Sequence, residues 1–409
     1  MKAKVFLLTV MFAGGVLLTG CWNNRELKDL GFVMAMGVDQ VPKTKEYRIS
    51  LQIVNPGEIA GGTLGGGGGG KALSVSIITE TGSTLSEAIR KTAKKTSRQP
   101  LFSHMRLIVL GEEFAKDGVQ DLLDFFERNH EPRDITNLLV ARGDTAEQLI
   151  SIITPLEKIP ANSVMNKLMH SVKLWSESLK VEIDDVSNIL VSEGKELTLS
   201  GVEIVGNPQE GEKKSNNEQS NPPAFIQIRG IALFKDGKLS RWMDDKEARG
   251  VVLILNKAKS TIENIGCGEK KEAIGIEVLR SKSGIKVKVK DEEPIIDINI
   301  RQEGDLSEVN CPINLSDPNE LAKLEMAWSE ETKKEILAAV KAAQSEKSDI
   351  FGFGEAINRQ EKKVWMKIKK DWKKDLFANS QVHVNVESFI RHSGMRTIPY
   401  LLKGQKEKK

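Results

Sequence analysis

Covalent, metal, phosphate or proton-transfer chemistry in this chain would draw first on three cysteines, five histidines, one glycine run and the carboxylates. Cys21, Cys267 and Cys311 are widely spaced and form no CxxC unit, so they supply no zinc-ligand spacing. His104, His130, His170, His383 and His392 each lack a second ligand at helical spacing and read as surface or satisfied core residues. Residues 65–71 match the GxxxxGK of a phosphate-binding loop, but Ala72 has no hydroxyl for Mg²⁺. The residues that follow read as a strand, where phosphate binding needs a helix N-terminus. A flexible hairpin loop is the simpler reading. Adjacent acids such as Asp184-Asp185 and Asp244-Asp245 point different ways and make no catalytic dyad. HExxH, GxSxG and EF-hand patterns are absent. These spacings assign no catalytic residue, no cofactor site and no metal ligand.

One thiol stands in a different context. Lys2 and Lys4 precede an uncharged, mostly apolar stretch at 5–18, too short for a spanning helix of ~20 residues. It ends in Leu18-Thr19-Gly20-Cys21, which resembles the bacterial lipobox. That resemblance implies a signal peptide at 1–20 and cleavage after the small Gly20. It also implies a Cys21 carrying S-diacylglycerol and N-palmitoyl chains. An uncleaved membrane anchor and an ordinary secretory cut are the competing readings. Each buried CH₂ contributes ~0.8 kcal/mol, so two or three chains hold firmly where one does not. The body from residue 21 onward would then lie outside the cytoplasm.

The elements that follow suit a folded body. The chain has 409 residues, 39% of them hydrophobic, consistent with two or three domains. Loss of the leader removes Lys2 and Lys4 and brings the formal charge from +3 to +1, which gives no general pull toward nucleic acid. Outside the cytoplasm Cys267 and Cys311 could pair or remain as buried thiols; their spacing does not choose.

Residues 31–39, 47–53 and 72–79 read as strands, the second with clear period-two alternation. Thr84-x-x-Glu87 signals a capped helix to about 96. Strand signals at 105–110 and 135–141 alternate with helix signals at 119–128 and 145–152. Asn162 or Ser163 would cap a helix whose Val164, Met165, Leu168, Met169, Val172 and Trp175 form a core stripe. A strand follows at 197–205. Residues 206–223 hold no large apolar side chain and read as a disordered polar linker between a region at 21–205 and one at 224–402. Lys235-Asp236-Gly237-Lys238 is a hairpin signal. Alternating isoleucines and valines at 285–289 and 296–300 predict antiparallel strands. Ser316 or Asp317 with Pro318 starts a long helix facing inward through Leu321, Leu324, Trp328, Thr332, Ile336, Ala339 and Ala343. A second helix is expected near 355–377, then a strand at 382–386 and a basic tail at 403–409. The fold class is therefore α+β, with mixed and antiparallel sheets packed against helices. The lysines from Lys362 to Lys374 interleave with Trp365 and Trp372. They read as the solvated face of a helix whose tryptophans are core, with anionic lipid as the competing reading.

Four collinear blocks resemble the Ger(x)C lipoproteins, the third subunits of bacterial spore germinant receptors. They are Cys21 to Leu27 (CWNNREL), Ser97 to Glu113 (SRQPLFSHMRLIVLGEE), Gly230 to Leu239 (GIALFKDGKL), and Ser348 to Gly354 (SDIFGFG) before Trp365 and Trp372. Asn23 departs from the acid that members often carry. The resemblance implies a three-domain α+β lipoprotein on the outer face of the spore inner membrane. It implies two integral-membrane subunits as partners and a part in nutrient-triggered germination, without enzymatic activity, nucleic acid or a known small-molecule ligand. The alternative is an exported solute-binding lipoprotein that holds the nutrient itself, which the antiparallel signals after Phe225 disfavour. An exported hydrolase would need a converging catalytic set that the sequence does not display.

Overall fold

The computed structural model describes residues 26–57, 73–129, 131–290 and 293–394. Gly20, Cys21, the glycine run with its GxxxxGK, His130 and the basic tail lie outside the described residues.

A nine-stranded mixed sheet organises the first half. Its strands are β1 (Leu30–Gln40), β2 (Tyr47–Val54), β3 (Val75–Gly82), β4 (Gln99–Leu101), β5 (Leu107–Leu110), β6 (Asn137–Ala141), β7 (Thr198–Gly206), β8 (Ala224–Lys235) and β9 (Lys238–Met243). The order is β3-β2-β1-β5-β6-β7-β8-β9, with β4 paired to β1. The centre, β1-β5-β6-β7, is parallel and the flanks are antiparallel. Central strands covered on both faces need apolar residues on both. β5 and β6 satisfy this, being buried throughout. Ile108, Leu110, Leu138 and Val140 face one core, and Leu107, Val109, Leu139 and Ala141 the other.

Helices cover both faces. They are α1 (Leu85–Lys91), α2 (Glu112–Asp117), α3 (Gln120–Arg128), α4 (Ala146–Ser151), α5 (Pro160–Leu174) and α6 (Ile183–Leu190). Thr84 accepts from the Glu87 N–H, as the capping signal predicts. Thr145 and Gln148 form a complete capping box on α4. The start of α5 differs from expectation: Ile159 is the cap and Pro160 opens the helix. Val164, Met165 and Leu168 are buried, but Met169 and Trp175 are largely exposed, so the stripe is narrower than its apolar residues suggest.

The polar segment 206–223 is not a disordered linker. It forms α7 (Pro208–Gly211) and a 3-10 turn at Lys214–Asn217. Asn207 caps α7 through the Gln209 and Glu210 N–H groups. Asn216 is fully buried; its Nδ2 donates to the Ile153 and Ala224 carbonyls at 2.7 and 3.0 Å, and its Oδ1 accepts from the Ala224 N–H at 3.1 Å. Order here comes from side-chain amides satisfying backbone groups, which a hydrophobicity argument does not see. β7 and β8 pair from Gly206↔Ala224, so the segment is a hairpin connection within one sheet.

β9 leads into α8 (Asp245–Ile254) and then the second sheet, β10 (Thr261–Cys267), β11 (Lys270–Lys290), β12 (Glu293–Val309) and β13 (Gln381–His392), in that order. β11 and β12 are antiparallel as predicted, while β13 joins β12 in parallel. Asp317 caps α9 (Pro318–Ser345), whose predicted inner stripe is buried except for the half-buried Leu321. The expected helix at 355–377 is instead α10 (Phe353–Gln360) and α11 (Lys362–Asp371), broken at Glu361, where φ is −135°. A π turn at Trp372–Leu376 continues α11. Trp365, Ile368 and Trp372 are core and most of the interleaved lysines are exposed.

Cys267 and Cys311 form a disulfide, with Cα atoms 6.3 Å apart and a sequence separation of 44. It ties the end of β10 to the loop after β12. A loop of this size loses chain entropy equivalent to about 4 kcal/mol on closure, and measured values centre near 2–4. Replacing both by Ser should lower unfolding stability by about 2–4 kcal/mol in urea titrations. Added reductant should destabilise the parent chain but not the double variant.

Candidate functional site

Three buried or half-buried carboxylates each sit beside a glycine from the recognisable blocks. Asp349 is the most enclosed. Its Oδ1 accepts from the N–H groups of Gly352 and Phe353 at 2.9 and 3.1 Å. Its Oδ2 accepts from the Gly354 N–H at 2.8 Å and Trp372 Nε1 at 3.1 Å. The orphan N–H groups at the start of α10 are thereby satisfied. Burial nevertheless raises its carboxyl to about 6, against the lowering effect of those donors. Gly352 holds φ at +76°, and a Cβ on Gly354 would lie 2.8 Å from atoms of both Trp365 and Trp372.

This knot joins the two halves of the chain. The Asp349 carbonyl accepts from the Glu196 N–H at 2.8 Å, and the Gly194 carbonyl from the Glu355 N–H at 3.1 Å. Ser348 Oγ donates to the Phe234 carbonyl in the β8–β9 hairpin at 2.5 Å. Lys373 Nζ lies 2.8 Å from Glu196 and 3.3 Å from Asp236, and Lys369 pairs with Glu193 at 2.8 Å. Asp236 and Gly237 take positive φ in the turn predicted from sequence. The third and fourth blocks therefore meet in space.

The other two sites repeat the device. Asp39, at the end of β1, accepts from the Ala146 and Glu147 N–H groups at 2.8 and 2.9 Å and caps α4. Burial raises its pKa although both backbone donors lower it. A side chain at Gly111, in the second block, would collide with Asp39 Oδ1. Arg142 holds Asp244 through two hydrogen bonds of 2.5 and 2.8 Å, lies over the Trp242 ring and keeps the Asp244 carboxyl below its usual range. A Cβ on Gly230 would come within 2.7 Å of Asp244 Oδ1.

A fourth cluster lies between α8, α9 and β10. Arg249 reaches Glu177 at 2.6 Å and Glu335 at 3.2 Å and stacks over Trp175, which explains that residue's place at the surface. Glu263 accepts from Trp328 Nε1 at 2.7 Å and Thr332 Oγ1 at 2.9 Å. Its Oε1 and the Oε2 of Glu335 have no hydrogen-bond partner among the described residues. Burial raises both carboxyls, that of Glu335 to about 8, and the two repel each other when ionised.

Nothing in this set resembles a nucleophile with its base. The four described histidines are exposed; His383 and His392 face Asp297 and Asp305 at 3.2 and 3.0 Å. Among the described residues no three His, Cys, Asp or Glu side chains come together as metal ligands. Asp349 is not legible from the sequence as a cap, because it stands three residues before the N-cap Gly352 and reaches the helix start from outside the usual capping position. Arg249, Glu263 and Glu335 carry no local signal, because each is paired across long sequence distances.

Two family models match this chain: the spore germination protein N-terminal domain over residues 23–204, and the spore germination B3/GerAC-like C-terminal domain over residues 229–394. The chain belongs to the Ger(x)C family. Among its relatives, spore germination protein KC of Bacillus subtilis (strain 168) is 34% identical over 98% of both chains. Spore germination protein B3 of the same organism is 22% identical over 94% of this chain and 97% of its own length. The crystal structure of the GerBC protein superposes with a TM-score of 0.54 at 18% identity, covering 87% of this chain and 96% of that one, which supports the shared α+β fold. The second, third and fourth Ger(x)C blocks named above are thus found where glycines make room for carboxylates and where the two halves join.

Truncating Asp349 to Ala leaves buried N–H groups and an indole unpartnered. It should lower unfolding stability by about 3 kcal/mol or more in urea titrations. Because the Glu335 pKa is raised on folding, its contribution is complete below about pH 4.5 and is lost as pH climbs through about 8. Glu335→Gln should flatten the fall in stability between pH 5 and pH 8, by at most about 1.4 kcal/mol per pH unit. Parallel denaturation curves of parent and variant at several pH values measure this.

Proposed function

We propose that this chain is a membrane-anchored lipoprotein subunit of a spore germinant receptor, acting with two integral-membrane subunits in nutrient-triggered germination. The observation that carries the reading is the end-to-end match to spore germination protein KC together with both Ger(x)C domains. The role is non-enzymatic: the second, third and fourth family blocks hold the fold together, and the acids beside their glycines, Asp349, Asp39 and Asp244, serve as two caps and an ion pair.

Anchoring is through acylated Cys21, following cleavage after Gly20, at the outer face of the spore inner membrane. The leader, the lipobox and the Cys267–Cys311 disulfide support this placement, since disulfides persist chiefly outside reducing compartments. No helix among the described residues is long and apolar enough to cross a membrane, which suits a body held by lipid.

The test is deletion of the gene in a strain without paralogous receptors, scored against nutrient and against a chemical germinant that bypasses receptors. Nutrient response should be lost and the bypass response kept. Complementation with the parent gene should restore germination, and Cys21→Ala should restore it poorly and take up no labelled fatty acid. Full nutrient response in the deletion strain would refute the receptor role; undiminished labelling of Cys21→Ala would refute the anchor.

A further inference from the structure

β11 is longer than the strand beside it. β10 pairs with β11 only from Lys270 to Val278, so from Leu279 to Lys290 β11 has β12 on one side and no described strand on the other. The Ser283 N–H points to that open side, where Asn256 Oδ1 accepts it at 3.0 Å. Backbone groups alternate in direction along an antiparallel strand. The N–H and C=O groups of Ile285, Val287 and Val289 therefore fall on the same side as those of Ser283. No described strand pairs with this side over about six residues, near the usual length of a strand.

The side chains define what could lie there. Ile285, Val287 and Val289 turn inward and join the main apolar core. Lys286, Lys288 and Lys290 project from the opposite face and are exposed, as is Lys282 further back. None of the four makes an ion pair among the described residues; across the ladder Lys282 stands opposite Arg301 and Lys288 opposite Ile295, while Lys286 and Lys290 stand opposite Asp297 and Glu293 on β12, so the row keeps an excess of positive charge. Edge lysines deter pairing with an identical strand, since like charges directly opposite repel. The same row attracts a strand of opposite charge. We propose that the β11 edge at 284–290 is a docking site for an extended acidic segment of another protein. That segment adds as a strand, its carboxylates alternating beside the lysines and its β-branched residues lying over the Ile285–Val289 side. The inference is independent of the receptor assignment, because the test below needs no second subunit.

The probe is a fluorescent, end-blocked peptide of alternating Glu and Val, titrated into the full chain in detergent at low salt. Its controls are a Lys–Val peptide and a Glu–Val peptide interrupted by Pro, which lacks ladder donors. The Glu–Val peptide should bind at least about tenfold more tightly than either control. It should also slow hydrogen exchange across 284–290. The triple charge reversal Lys286→Glu, Lys288→Glu, Lys290→Glu should weaken it at least about tenfold and favour the Lys–Val peptide. Reversing three exposed lysines elsewhere, Lys94, Lys173 and Lys341, should leave binding within about twofold. Equal binding of the Pro-interrupted peptide, unchanged exchange at 284–290, or equal loss in the second triple variant would overturn the proposal. So would self-association of the chain that disappears with the first triple variant.

Discussion

The carboxylate of Asp349 is the constraint on which the joint between the two halves depends. A buried acid is costly unless its oxygens are fully engaged, and here four donors converge on it. Three come from the backbone of the turn that starts α10 and one from Trp372, which brings the π turn back over that start. The peptide of Asp349 also binds Glu196, so the capped turn and the strand entering the first sheet are fixed together. Removing the glycines would break this arrangement as surely as removing the acid, because Trp365 and Trp372 occupy the space beside Gly354.

The same logic at Asp39 and Asp244 shows why the family blocks look as they do. Gly111, Gly230 and Gly354 are places where a side chain would strike a carboxylate or an indole that holds two elements in register. These three blocks therefore describe assembly of the body more than a surface or pocket. The Arg249 cluster differs. It gathers three acids, two of them buried, around one guanidinium, so it stores an electrostatic penalty that varies with pH.

Much of the fold was legible in the sequence because its signals were local. The Thr84 and Thr145 caps, the Asp236-Gly237 turn, the period-two runs in β11 and β12 and the stripe of α9 all depend on neighbours within a few residues. Most of the failures share a cause, a partner far along the chain. The segment 206–223 is ordered by Asn216, whose amide bonds backbone on both sides of it, one partner 63 residues away. Trp175 is drawn to the surface by Arg249, far along the chain. The break at Glu361 separates two helices that a continuous pattern of apolar residues had merged. The Cys267–Cys311 pairing was open until β10 and β12 were set on either side of β11. The third block was read as a hairpin, but its contact with the fourth could not be read, since Ser348 and Phe234 are 114 residues apart.

The β8–β9 hairpin lies after the first matched domain yet completes the first sheet. A chain cut at 204 would leave β7 without its antiparallel neighbour along its whole length. Recombination between relatives at that point would thus separate a sheet from its own border. A graft that respects the architecture would carry the first half through Met243, the end of β9.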